Sequence, residues 1–197
     1  MPIPYSEASR TLLRDTIVDA VDQLARTRGW AAASMSDVAT AAGVSRQTVY
    51  NEFGSRQGLV EAYVRREIEA LIGEVETEVR SRADDARGAV QAAFALFLKL
   101  ASDEPLVQVL VASERPTDDG DLTRLLTGLG RSVATERIGG LIVEVWPQVS
   151  ASDARLLAET LARLAISHAL LPTDDASATA AAITRLVGPF VDELLGA

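Results

Sequence analysis

Between Ser45 and Gly58 the chain reads SRQTVYNEFGSRQG, with Val49 as its one aliphatic residue. Arg46, Gln47, Thr48, Tyr50, Asn51 and Arg56 fall within this stretch. Their types suit base-edge and phosphate recognition. Arg grips guanine and Gln grips adenine in a bidentate manner, the Thr methyl meets a thymine methyl, and Tyr and Thr hydroxyls bond phosphate. Little else offers chemistry. There is no cysteine, so disulfides and thiolate metal sites are excluded. The one histidine, His168, has no nucleophile motif beside it that would make it a catalytic base. It lies on an apolar face after Ile166, which reads first as a core or dimer-interface position and second as a ligand contact. The DDGD run at Asp118–Asp121 lacks the alternation and terminal Glu of a calcium loop and reads as a solvated loop. Gly128–Gly130 has no third glycine and no preceding strand, so it is no dinucleotide fingerprint. Trp146, before Pro147, reads as a core plug sooner than a ligand platform. No metal and no cofactor is expected.

The elements that must position these residues are helices. Strand signals are almost absent, and helical periodicity recurs between short turn clusters. The expected class is all-α with about nine helices. The first runs from Ser9 to Thr27, with Leu13, Ile17, Ala20, Val21 and Leu24 on one stripe. Ser36 reads as the N-cap of a short helix from Asp37 to Ala42, and Gly43 as its left-handed stop. Ser45 reads as the cap of a second short helix, Arg46 to Phe53. Further helices are expected over 56–82, 85–101, 103–113, 121–145, 150–171 and 176–195. The 114–121 segment reads as a loop, Ser150–Asp153 as a capping box, and Pro189 as a kink in the last helix. Glycines 128, 130, 139 and 140 should weaken or bend the 121–145 helix.

Bulk composition bounds the rest. With 197 residues and 48% hydrophobic content the chain can bury a sizeable core, built mainly of Leu, Val, Ile and Ala because aromatics are only 5%. The net charge of −9 argues against a nucleic-acid coat. It is unevenly spread. Residues 1–60 hold six arginines and six acids, so the whole excess lies beyond them. The first residues have no apolar signal-peptide core, and no run approaches the roughly 18 apolar residues of a bilayer span. A cytoplasmic protein without membrane contact is expected.

Two short helices joined by AGVS, at Ala42–Ser45, make a helix-turn-helix. Val38, Ala39, Val44, Val49 and Phe53 would hold it together. The segment Met35–Val64 resembles the DNA-binding segment of TetR-type transcriptional repressors. The matches are Ser36, Val38-Ala39, Ala42-Gly43-Val44-Ser45, Val49-Tyr50, Phe53, and Ser55-Arg56 with Leu59. RQTVYNEFGSR is also similar to recognition segments of some actinobacterial repressors linked to alkane or fatty-acid metabolism. The chain departs from the family pattern at Gln47, where glycine is common, at Glu52, where His or Arg is usual, and at Arg56, where Lys is usual. Glu52 either contacts a cytosine amino group or is turned away.

The resemblance implies a DNA-binding domain at 1–54 and an effector-binding and dimerisation domain at 55–197. It implies DNA contacts from Ser36, Ser45, Arg46, Gln47, Thr48, Tyr50, Asn51 and Arg56. It further implies a homodimer through the last two helices, a palindromic double-stranded operator, and release by a small-molecule effector. By position the pocket would be lined by Phe94, Phe97, Leu98, Leu110, Val111, Leu126, Ile142, Trp146, Leu164 and His168. That lining suits an apolar or amphipathic, fatty-acid-like ligand. The alternatives are a multidrug-sensing regulator of an efflux gene, an all-helical enzyme of lipid metabolism, and a DNA-independent interaction protein.

Overall fold

The computed structural model describes residues 5–29, 34–112, 120–172 and 175–196. A few side chains within these ranges, Leu110 among them, lie outside the description, as does most of the 114–121 loop. The described residues form nine α-helices and no strand: α1 (Tyr5–Arg28), α2 (Met35–Ala41), α3 (Arg46–Phe53), α4 (Arg56–Arg80), α5 (Ala86–Ser102), α6 (Pro105–Ala112), α7 (Gly120–Val145), α8 (Ala151–Leu170) and α9 (Ala176–Leu195). The chain divides into two compact units, Met1–Arg66 and Glu67–Ala197. The boundary falls inside α4 rather than at 54/55. The first turns of α4 belong with the first unit because Leu59, Tyr63 and Val64 are buried there, and the Tyr63 hydroxyl donates to Asp22 of α1 at 2.9 Å.

In the first unit the stripe on α1 does what its spacing predicts. Ile17, Ala20, Val21 and Leu24 are buried, together with Val38 and Ala39 of α2 and Val49 and Phe53 of α3. Each fully buried Val or Ile contributes about 1.5–3 kcal/mol. The cap of α2 is not Ser36. Ser34 takes the position, with extended backbone, and accepts from Asp37 N at 3.2 Å. The helix therefore starts at Met35, because Met35 is buried and must already be helical to face the core. Ser36 sits exposed within the first turn. Ser45 caps α3, accepting from Thr48 N at 3.0 Å. Between the two helices Gly43 has φ +68°, a conformation that costs an L-residue roughly 1–2 kcal/mol.

In the second unit α7 and α8 pack along one another, and α5 packs on α9. α7 runs through Gly128, Gly130, Gly139 and Gly140, and α9 through Pro189, each as one helix. Packing along a partner outweighs the weak propensity of those residues. The caps are ordinary: Asp85 accepts from Gly88 N at 2.8 Å, Ser150 from Asp153 N at 3.1 Å, and Asp175 from Ser177 N at 2.8 Å. Bidentate ion pairs tie the helices further. Arg137 of α7 donates to Glu76 of α4 at 2.8 and 2.6 Å, and Arg80 of α4 to Glu144 of α7 at 3.1 and 2.8 Å. Arg87 of α5 pairs with Asp192 of α9 through two hydrogen bonds. That contact holds the Asp192 carboxyl below the usual range, and raises the Arg87 value. Among the described residues no helix is long and apolar enough to cross a membrane.

Candidate nucleic-acid interface and ligand cavity

α3 is amphipathic over eight residues. Val49 and Phe53 are buried, while Arg46, Gln47 and Asn51 are exposed and Tyr50 is half-buried. The outward side chains are ordered by one another. Gln47 Nε2 donates to Asn51 Oδ1 at 2.9 Å. Arg46 Nη2 donates to the Tyr50 hydroxyl at 3.3 Å, with its Cζ 5.4 Å from the ring centroid. These i,i+4 pairs gather hydrogen-bonding groups on one exposed stretch of the helix, of the kind that can pair with base edges. Thr48 is placed differently. It is half-buried and shares a 2.8 Å hydrogen bond with Ser45 Oγ, so its hydroxyl serves the cap.

Arg56 is exposed in the first turn of α4, where the helix dipole disfavours a cation. A phosphate there would reverse that penalty. The turn before it is tight. A Cβ on Gly58 would lie 2.2 Å from the Phe53 carbonyl oxygen, so only glycine lets α4 start this close to the end of α3. Glu52 points away from the outward face. Arg10 Nε donates to its carboxylate at 2.9 Å, and this hydrogen bond holds the Glu52 carboxyl below the usual range.

The second unit holds a partly open cavity of about 170 Å³. Its walls include Ile68, Leu71, Ile72, Val75 and Val79 of α4; Val90, Ala93, Phe94 and Phe97 of α5; Val107 of α6; Leu126, Thr127, Gly130, Ala134, Ile138 and Ile142 of α7; Trp146 and Val149 beyond it; Leu157, Ala158, Leu161, Ala162, Ala165, Ile166, Ala169 and Leu170 of α8; and Val191, Leu194 and Leu195 of α9. None of the lining residues carries a charge. The two with polar side chains are already satisfied: the Thr127 hydroxyl donates to the Thr123 carbonyl at 2.7 Å, and Trp146 Nε1 to the Ala83 carbonyl at 2.8 Å.

Of the expected pocket residues, Phe94, Phe97, Leu126, Ile142 and Trp146 lie on these walls. Leu98, Leu164 and His168 do not. Leu98 is one residue past Phe97, so it turns instead into a cluster with Ala165, Ala180 and Ile183, against which Leu164 also packs. His168 stands behind the wall, edge-on to Phe94 with centroids 6.2 Å apart and planes at 76°. Val111 is exposed, and Leu110 lies outside the description.

Comparison with known proteins accounts for both regions. A family model described as bacterial regulatory proteins, tetR family, matches residues 17–63. A second, described as the bacterial tetracyclin repressor C-terminal domain, matches residues 85–189. The HTH-type transcriptional regulator AlkX of Mycobacterium tuberculosis is 37% identical over 194 residues, covering 96% of this chain and 90% of that protein. The chain belongs to the TetR family. The crystal structure of a TetR family repressor AlkX from Dietzia sp. strain DQ12-45-1b, implicated in biodegradation of n-alkanes, superposes with a TM-score of 0.79 at 37% identity, covering 91% of this chain and 97% of that one. A TetR-family regulator from Pectobacterium atrosepticum shares the fold, with a TM-score of 0.67 at 19% identity.

As a TetR-family protein the chain is a ligand-responsive, DNA-binding transcriptional repressor and not an enzyme. Regulators of this family dimerise, bind DNA and bind small-molecule effectors. By position the fourth to eighth helices are expected around the pocket, but the residues expected there include none from α4, and α9 is not among those helices, although both contribute walls. The signal was present in α4, where Ile68, Leu71, Ile72, Val75 and Val79 recur at three- and four-residue steps. It is indistinguishable, in sequence, from an ordinary core stripe.

Proposed function

We propose that the protein works as a homodimer that reads a palindromic operator through Arg46, Gln47, Tyr50 and Asn51 of each α3, positioned by phosphate contacts at Arg56. Occupation of the second unit's cavity by an apolar or amphipathic chain, fatty-acid-like in shape, releases it. The carrying observation is the uncharged lining of that cavity. Burying an ionised group there without a partner would be heavily disfavoured, so the portion of a ligand held inside is uncharged, as an alkyl or acyl chain is. The α8 residues on the cavity wall run from Leu157 to Leu170, about 20 Å at about 1.5 Å per residue, a length that suits a linear chain. The n-alkane association of the Dietzia relative agrees with this chemistry. A planar cationic drug, the multidrug reading, would find no carboxylate on these walls.

The dimer would form through α8 and α9, which leave Leu156 56% and Leu186 71% exposed. Two-fold symmetry then imposes half-sites about a helical turn or a multiple apart. Ligand occupancy shifts the population of conformers by its differential affinity for them, and α4 contributes residues to both units.

The test uses the pure protein with a duplex enriched from a random-sequence pool, titrated with saturated fatty acids of rising length. Each added methylene buries about 0.8 kcal/mol of transfer energy, so affinity should climb roughly fourfold per carbon until the cavity is full, with release of the duplex in parallel. Ligand binding without length dependence, or no duplex retained at low salt, would sink the reading.

A further inference from the structure

Glu52 is the one acid on α3, and its surroundings give it a task away from DNA. Its side chain is 14% exposed and accepts from Arg10 Nε at 2.9 Å. Arg14, one turn further along α1, brings Nη1 to 3.6 Å from the same carboxylate oxygen. The Arg14 guanidinium also donates to the Glu52 backbone carbonyl, and its Cζ lies 4.3 Å from the centroid of the Phe53 ring. An ion pair, a cation at the negative end of a helix dipole, and a cation–π contact therefore converge on the last turn of α3. All of them come from two α1 residues spaced i,i+4.

Elsewhere α3 is held by its N-cap and by two buried side chains. It is eight residues long, capped by Ser45 at one end and anchored by Val49 and Phe53. Rotation matters because bidentate base contacts must be placed within about 0.5 Å of their productive geometry. Asn51, expected on the reading face, is the immediate neighbour of Glu52.

We propose that Glu52, Arg10 and Arg14 form a clasp that sets the angle at which α3 is presented, so that Glu52 governs discrimination between DNA sequences without touching DNA. Glu52 is thus a positioning residue acting through Arg10 and Arg14. The proposal rests on α3 being the recognition helix. It also explains why an acid is tolerated beside a polyanion: its charge is satisfied within the protein.

The experiment compares wild type, Glu52→Gln and the charge swap R10E/E52R on two duplexes across a salt series. One is the duplex that wild type enriches from a random pool; the other is a scrambled duplex of equal length. Glu52→Gln should weaken binding to the enriched duplex roughly three- to tenfold, the scale of a few partly exposed charge contacts. Binding to the scrambled duplex should stay within about twofold. The slope of log K against log salt should not change, because the number of neutralised phosphates is the same. The swap restores the pair between positions 10 and 52 but sets a cation against Arg14, so it should recover only part of the lost ratio.

Tighter binding of Glu52→Gln to both duplexes would overturn the proposal, because the acid would then act by repelling phosphate. An unchanged ratio, or equal losses on both duplexes with a lowered melting temperature, would also overturn it, leaving Glu52 a purely structural residue. A wild type that enriches no duplex would overturn the DNA reading and the proposal with it.

Discussion

In residues 1–66 the polar groups that matter stand on the surface: Arg46 against Tyr50, Gln47 against Asn51, Arg56 in an unfavourable dipole position. In residues 67–197 the surface that matters is turned inward, and it holds no charge at all. On the proposed reading the first region recognises by hydrogen-bond pattern, so that single residue types at single positions would decide what it binds. The second would recognise by shape and apolar area, with the result shared among many wall residues. A substitution in the first would then change a letter of that pattern, and one in the second a volume.

The largest effect should come from breaking the letters. Arg46→Ala with Tyr50→Ala removes one bidentate group and its internal partner, and should weaken binding to the enriched duplex by roughly a hundredfold or more. Ligand titration of the second region, followed by Trp146 fluorescence, should not move. If both fall together, the two regions are not separable in this way. The converse test fills the cavity. Ala162→Phe projects a ring from α8 into the lined space, and should cut chain-ligand affinity about tenfold or more while duplex affinity in the absence of ligand stays within about twofold.

Smaller effects sharpen the account of the first region. Gly58→Ala places a Cβ 2.2 Å from a backbone oxygen, and should cost about 1–3 kcal/mol of stability in denaturant unfolding, the range for forced overpacking. Ser34→Ala should cost about 1 kcal/mol as a lost N-cap, and Ser36→Ala less than about 0.5 kcal/mol as a surface change. Equal costs would mean that α2 is capped elsewhere. The smallest effect is acid sensitivity. The folded Glu52 carboxyl is lowered by its hydrogen bond from Arg10. Its contribution is therefore complete above the ordinary glutamate range, and is lost as pH falls through the lowered folded value. Glu52→Gln should remove that step from a plot of melting temperature against acidic pH.

Legibility in the sequence followed the same division. The helix-turn-helix was readable because its rules are local: Gly43 at a left-handed turn, Ser45 capping three residues ahead, Val49 and Phe53 one turn apart. The displaced cap at Ser34 shows the limit of local rules. Ser34 and Ser36 have equal cap chemistry, and only the burial of Met35 between them selects the first. The cavity was readable in kind, as aliphatic and weakly aromatic, but not in membership. Phe97 and Leu98 are adjacent and similarly apolar, yet Phe97 faces the cavity and Leu98 faces α9. His168 illustrates the same point. Its helix and its apolar neighbours were evident, but its place behind Phe94 depends on how α5 and α8 meet.

The all-helical class, the two-helix unit and the outward placement of Arg46, Gln47 and Asn51 were legible in the sequence. Those features follow from periods and caps a few residues long. The tertiary structure alone decided that Glu52 turns to Arg10 and Arg14, that Gly58 must lack a side chain, and which apolar faces enclose a space and which fill one. The Glu52 contacts depend on α1 and α3 meeting across about forty residues, as Arg10 meets Glu52, and Gly58 on the close approach of the Phe53 carbonyl; close packing resolves differences of a single methylene that no local pattern encodes.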